Sequence, residues 1–256
     1  MQGGSKAGFF DDYADVYATA PYSFFAEDAA KKLPGIWSSY GKTPVSMLDL
    51  GCGTGILLFA LATRFSRVTG VDQSASMLRH AAEKAQEAGA KIEFIQDDMT
   101  QFRAQRPYDL VTCLYNTVNY LVNPDDLARA LRNMRASVAE DGLLIFDSHP
   151  GWFIERAWAG RTFRRTERRG DAEEIVEVWE NPYDPERGVL RTTVTVFHRR
   201  GSGWTRMREV HPTRGYDAEL VVPLLHDCGF TRVDTFADLE MAPVDLEAER
   251  IWFVAS

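Results

Sequence analysis

Basic residues do not dominate this chain: 29 Lys and Arg face 37 Asp and Glu, a formal net charge of −8 over 256 residues. That balance argues against a protein that binds bulk nucleic acid, where neutralised phosphates supply most of the affinity. The most basic run, "RTFRRTERR" (Arg161–Arg169), is expected as a solvated face. Cysteine is scarce. Cys52, Cys113 and Cys228 lie far apart and lack metal-ligand spacing, so they read as free buried thiols in a reducing, cytoplasmic setting. No metal site is expected. No apolar run approaches the roughly 18 residues of a membrane-spanning helix, and the N-terminal stretch lacks the apolar core of a signal peptide. Repeats and low-complexity tracts are absent. The hydrophobic fraction of 45% is ordinary for a globular protein. The length suits one large domain, or one domain carrying an inserted lobe.

What is present begins with "SMLDLGCGTGILLFALA" (Ser46–Ala62). An apolar run reads as a buried strand, the glycines as a tight turn and the apolar stretch after them as a helix. Free backbone N–H groups at such a turn suit a nucleotide or another polar anionic group. The glycines Gly51, Gly53 and Gly55 follow G-x-G-x-G. A dinucleotide fingerprint would need glycine at Ile56, which argues against NAD.

Further segments repeat the alternation of strand and helix. "RVTGVDQS" is a second strand ending at Asp72, followed by a helix that Ser74 can cap. "KIEFIQDDMTQF" and "YDLVTCLYNTVNYL" supply a third and a fourth strand. The helix "PDDLARALRNMRASVAEDG" is predicted to close at Gly142, ahead of a fifth strand, "LLIFDSHP". This order implies an α/β, doubly wound, mostly parallel sheet. From Trp152 the period becomes two, which predicts three or so antiparallel strands. The last two strands of a seven-stranded sheet then follow, with an antiparallel strand expected at the edge. The expected organisation is a helical lid over 1–40, broken at Pro21, a core over 41–151 and 216–256, and an inserted antiparallel β-lobe over 152–215.

"LDLGCGTG", Asp72 in "VTGVDQS", "FIQDDM" and "YDLVTCLYNTVNYL" together resemble the class I S-adenosylmethionine (SAM) methyltransferases, whose fold is Rossmann-like. The resemblance covers about Tyr13 to His149. "YADVYATAPY" and "NYL", with a lobe after the fifth strand, resemble bacterial small-molecule methyltransferases. Those are similar in architecture to glycine N-methyltransferase and include sugar and natural-product enzymes. The resemblance implies SAM as cofactor and S-adenosylhomocysteine (SAH) as product. It implies that Asp49, Gly51, Cys52, Gly53 and Gly55 hold the amino-acid part, and that Asp72 accepts from the ribose hydroxyls. Gln73 and Met77 would lie near the adenine, with Asp98 on its amino group and Met99 against the ring; Asp97 competes with Asp98. Leu114 and Asn116 would line the ligand, and Tyr13 and Tyr22 would close over the sulfonium.

The acceptor is expected to be a small molecule. His149, past the fifth strand, and His211 in the lobe are the candidate general bases. Both are also candidate acceptor contacts, with Tyr17, Asn119, Glu209 and Arg214. Trp152, Trp179 and Trp204 could supply an apolar wall. No nucleic acid or membrane partner is expected, and a homodimer through the lobe is. The alternatives are a protein or tRNA methyltransferase and a non-catalytic scaffold of the same fold.

Overall fold

A computed structural model describes residues 10–19, 23–170 and 172–256. Its main sheet has seven strands: β1 (Ser46–Leu50), β2 (Arg67–Asp72), β3 (Glu93–Gln96), β4 (Tyr108–Cys113), β5 (Val138–Ser148), β11 (Val233–Phe236) and β12 (Ile251–Ala255). The order is β11-β12-β5-β4-β1-β2-β3, with β3, β2, β1, β4 and β5 parallel. β1 lies near the middle with helices over both faces, which is why every residue of "SMLDL" is buried. A largely apolar run is what a doubly covered parallel strand requires, and the buried Ser46 and Asp49 are hydrogen-bonded to Asp109 and Thr112. β12 is antiparallel to β5 on one side and β11 on the other. The antiparallel strand is therefore internal, and β11 forms the edge.

The helices carry the two apolar layers. α1 (Ala14–Tyr17) is a single turn, and α2 (Ser23–Ser39) packs Ala29, Leu33, Ile36 and Trp37 on one sheet face with α3 (Ile56–Leu61). Of the lid predicted over 1–40, Pro21 and Tyr22 lie outside the described residues. α4 (Ala75–Ala88) is capped by the Ser74 hydroxyl, which accepts from Met77 N–H. α5 (Pro124–Ser137) starts on an Asn123 cap and buries Leu127, Ala130, Leu131 and Met134 against the other face. It stops at Ser137, five residues before the predicted end at Gly142. Gly142 terminates no helix: it sits in β5, where a Cβ would come within 3.0 Å of the Tyr108 and Asp109 carbonyls. It is a close-approach glycine.

After β5 come α6 (Gly151–Phe153), a π turn (Ile154–Trp158) and a second sheet. That sheet holds β6 (Thr162–Arg169), β7 (Glu173–Glu180), β8 (Tyr183–Asp184), β9 (Val189–Arg200) and β10 (Gly203–Arg214). The order is β10-β9-β7-β6, all antiparallel, with β8 on β9. The three or so predicted strands are four long ones and the short β8, because the basic run also forms a strand, β6. Its arginines reach carboxylates: Arg165 meets Glu177, and Arg168 meets Glu174 at 3.0 Å. The chain leaves and rejoins the core at one point. Tyr216 N–H donates to the His149 carbonyl at 3.0 Å, and a Cβ on Gly215 would overlap Gly151. α7 (Ala218–Asp227) then returns to the core.

Candidate active site

The carboxyl ends of β1, β2 and β4 open into a cavity of about 1170 Å³ that continues to the concave face of the second sheet. Open α/β sheets place their ligands at this position.

The first half is built from the glycine turn. Gly51, Gly53 and Gly55 have φ of +72°, +54° and +77°, a backbone that favours glycine. A Cβ on Gly53 meets nothing within 4 Å, so this residue leaves room for a ligand, whereas a Cβ on Gly51 would overlap the Thr117 methyl. The N–H groups are not free as predicted. Gly51 and Cys52 donate to the Val71 carbonyl at 2.7 and 3.0 Å, Gly55 to the Cys52 carbonyl at 2.9 Å, and Gly53 to Asp72 at 2.8 Å. The turn supplies shape more than donors, and acids supply the polarity.

Asp49 is buried, with Thr112 donating to it at 2.6 Å. Burial pushes its carboxyl up to about 7, and nearby Asp72 adds to this. Asp72 accepts from Gly53 N–H and, at 2.9 Å, from Ser74 N–H. Burial raises its carboxyl too. The Thr54 hydroxyl, also buried in the cavity wall, has no hydrogen-bond partner among the described residues. Two desolvated acids and an orphan hydroxyl fit a ligand carrying an ammonium and hydroxyl donors. Gln73, Met77, Asp97, Asp98 and Met99 line the adjoining wall. Asp98 accepts from Thr100 N–H and Asp97 from Asp98 N–H, at 2.8 and 2.7 Å. Both acids therefore shape the loop as well as face the cavity. Cys52, Leu114 and Asn116 complete this half. Tyr22 lies outside the described residues.

The second half includes Tyr13, Tyr17, Tyr120, Phe153, Trp158, Trp179 and His211. His211 is buried, with Phe10 at 4.6 Å and Tyr120 at 6.0 Å between ring centroids. Burial pushes its imidazole down to about 4, so it is neutral at physiological pH. The other predicted acceptor residues do different work. His149 lines the cavity, but its Nδ1 donates to the Glu249 carbonyl at 2.7 Å and its Nε2 accepts from Arg250 at 3.2 Å. Both ring nitrogens are thus engaged by protein groups, and burial and that guanidinium lower the imidazole to about 3. Asn119 lies outside the cavity lining. Its amide donates to the His149 and Arg214 carbonyls at 3.0 and 2.7 Å and accepts from His149 N–H, pinning core to lobe. Glu209 also lies off the wall: its carboxylate accepts from Phe10 N–H and, at 3.1 Å, from Tyr13 N–H. It clamps the N-terminal segment. Arg214 is outside the lining, as is Trp152, and Trp204 is exposed. Among the described residues, no group of three or more His, Cys, Asp or Glu could hold a metal ion.

Sequence reasoning missed Asp147, Arg250, Trp158 and Glu177. Asp147 accepts from Tyr115 and Asn116 N–H at 2.7 and 2.8 Å and pairs with Arg250. Its place at the end of the fifth strand was a usable signal. Arg250 lies 103 residues further on and carried none. Glu177, fully buried, accepts from Tyr13 Oη and Arg165.

The family model described as "Methyltransferase domain" matches residues 47–142. A protein named "Putative methyltransferase" from Geobacillus sp. (strain WCH70) is 31% identical over 246 residues, covering 95% of this chain and 96% of its own. A dTDP-3-amino-3,4,6-trideoxy-alpha-D-glucopyranose N,N-dimethyltransferase from Streptomyces venezuelae is 29% identical, covering 73% of this chain and 85% of its own. The solved structure of an S-adenosylmethionine-dependent methyltransferase from Clostridium acetobutylicum superposes with a TM-score of 0.85 at 23% identity, covering 97% of this chain and 99% of that one. The chain belongs to the SAM-dependent methyltransferases. SAM is its cofactor.

Proposed function

We propose that this enzyme methylates a nitrogen or oxygen of a small molecule held between the core and the second sheet. The observation that carries the proposal is one continuous cavity, which runs from Asp49 and Asp72 to the wall bearing His211. Asp49 would hold the cofactor's ammonium and Asp72 its ribose hydroxyls, with Met77, Met99 and Asp98 around the base. Bound there, SAM supplies a methyl carried on a sulfonium, open to in-line displacement by a lone pair. Tyr13 and Tyr17 flank the space between the halves. Neutral His211 can accept a hydrogen bond from the acceptor's N–H or O–H and so aim its lone pair at the methyl. The relative from Streptomyces venezuelae, named for an amino sugar, supports a small acceptor. Free thiols at all three cysteines support a reducing, cytoplasmic location. Among the described residues no helix is long and apolar enough to cross a membrane.

Titration calorimetry with SAM, SAH and NAD, followed by a screen of amines, sugars and phenols, tests this reading. Binding of the first two without NAD, and turnover of at least one small acceptor, is expected. With an acceptor in hand, His211→Ala should lower kcat by about 10²-fold, in the range for a positioned proton acceptor. SAH affinity should stay within threefold. Equal losses in both would reject the acceptor-side role.

A further inference from the structure

Neither Tyr115 nor Asn116 is glycine, yet both are left-handed, with φ of +64° and +50°. Such backbone disfavours most L-residues, tyrosine among them, by roughly tenfold in population and asparagine less, so something must hold it. The holder is visible. The Asp147 carboxylate accepts both turn amides, one on each oxygen. Asp147 is itself buried and paired with Arg250. The guanidinium is fixed in turn: it lies over the Phe25 ring at 4.6 Å and donates to His149 Nε2 at 3.2 Å.

The turn leads to the glycine cradle. Thr117 closes it by donating to the Leu114 carbonyl at 2.6 Å. The same Thr117 methyl fills the space where a Cβ on Gly51 would go. A relaxed turn would move Thr117 against or away from the first glycine of the cofactor site. Leu114, Tyr115, Asn116 and Thr117 all line the cavity.

We infer that Asp147 and Arg250 are positioning residues for the cofactor: the pair holds the left-handed Tyr115–Asn116 turn, and through Thr117 it sets the shape of the Gly51 cradle. The inference rests on the cofactor site proposed above. His149 belongs to this device as the second anchor of the guanidinium.

SAH titration calorimetry tests it on the wild type, Asp147→Asn, Arg250→Met and Arg250→Lys, with circular dichroism to show that each is folded. Asp147→Asn presents an amide N–H₂ to one of the turn amides and should weaken SAH about tenfold. Arg250→Met should do the same, and Arg250→Lys, which keeps charge but not the fork, at least threefold. The double variant Tyr115→Gly with Asn116→Gly supplies the decisive readout, because glycine at both positions needs no holding in this backbone. In that background Asp147→Asn should cost less than threefold further. Folded variants of the pair with SAH affinity within threefold of wild type overturn the inference. So does an undiminished loss in the glycine background, which would mark the pair as general packing. If Asp147→Asn fails to fold, Arg250→Lys decides on the same threefold line. A wild type that does not bind SAH would overturn the cofactor site itself, a failure the control separates from this one.

Discussion

Asp49 is a carboxylate in the wrong solvent. Its one side-chain hydrogen bond, from Thr112, does not replace the water it has lost, and its carboxyl is raised from 3.8 to about 7. The folded, ligand-free protein therefore holds a proton that the unfolded chain has released. Stability from this group is full below about pH 4 and is lost as pH rises through 7. An ammonium beside it reverses the balance, since it favours the ionised acid. SAH should bind about tenfold tighter at pH 8 than at pH 6, because only a small fraction of Asp49 is ionised at the lower pH. Calorimetry in buffers of different ionisation heat would read the released proton directly. Asp49→Asn should abolish both the pH slope and the proton release. A slope that survives in the variant would assign it to another group. Position in the sequence suggested an acid facing the cofactor here; only burial shows that it begins life partly neutral.

At the scale of elements, local signals served well where local physics governs. The strand–glycine–helix unit, the Ser74 cap and the amphipathic α5 each follow from neighbours within a few residues. The misreadings share a different cause. Gly142 resembled a helix terminator, but its neighbours are carbonyls of β4, more than thirty residues back. Asn119 and Glu209 resembled ligand contacts, yet they bond to backbone that no periodicity brings near. Glu209 ties α1's approach to the lobe, while Asp11 accepts from Ser74 Oγ at 2.7 Å on the core side. The stretch from Phe10 to Tyr13 is thus tied to the lobe by Glu209 and to the core by Asp11. A carboxylate taking two backbone N–H bonds contributes about 1.5–3 kcal/mol for each. Glu209→Gln keeps one acceptor oxygen and loses the other. Amide exchange at Phe10 and Tyr13 should accelerate about tenfold, with exchange in β1 unchanged. Equal protection in the variant would show that apolar packing of Tyr13 and Val16 on Ile175 and Val194 suffices to hold this stretch.

For the whole molecule, the mostly parallel, doubly wound sheet and the presence of a lobe were legible because strand and helix periods differ so sharply. The way the lobe is attached was not. Gly151 and Gly215 are 64 positions apart in sequence, and their backbones touch. The two crossings are further joined by Tyr216 N–H to the His149 carbonyl and by Ser148 Oγ to the Tyr216 carbonyl at 2.7 Å. Everything from Trp152 to Arg214 hangs from this neck. Replacing 152–214 with a short glycine–serine joint should leave a chain that folds and binds SAH, though more weakly because the stretch from Phe10 to Tyr13 loses Glu209 and Glu177. Methyl transfer should be absent. A truncated chain that is unfolded by circular dichroism would show that core and lobe form one cooperative unit.

The neck has a consequence for how such an enzyme can change. A segment whose ends already meet imposes almost no closure penalty on its host, and its length barely matters to that host. The second sheet is joined to the core like a cartridge: at a joint one residue wide it can be lengthened, trimmed or exchanged with little entropic cost to the core.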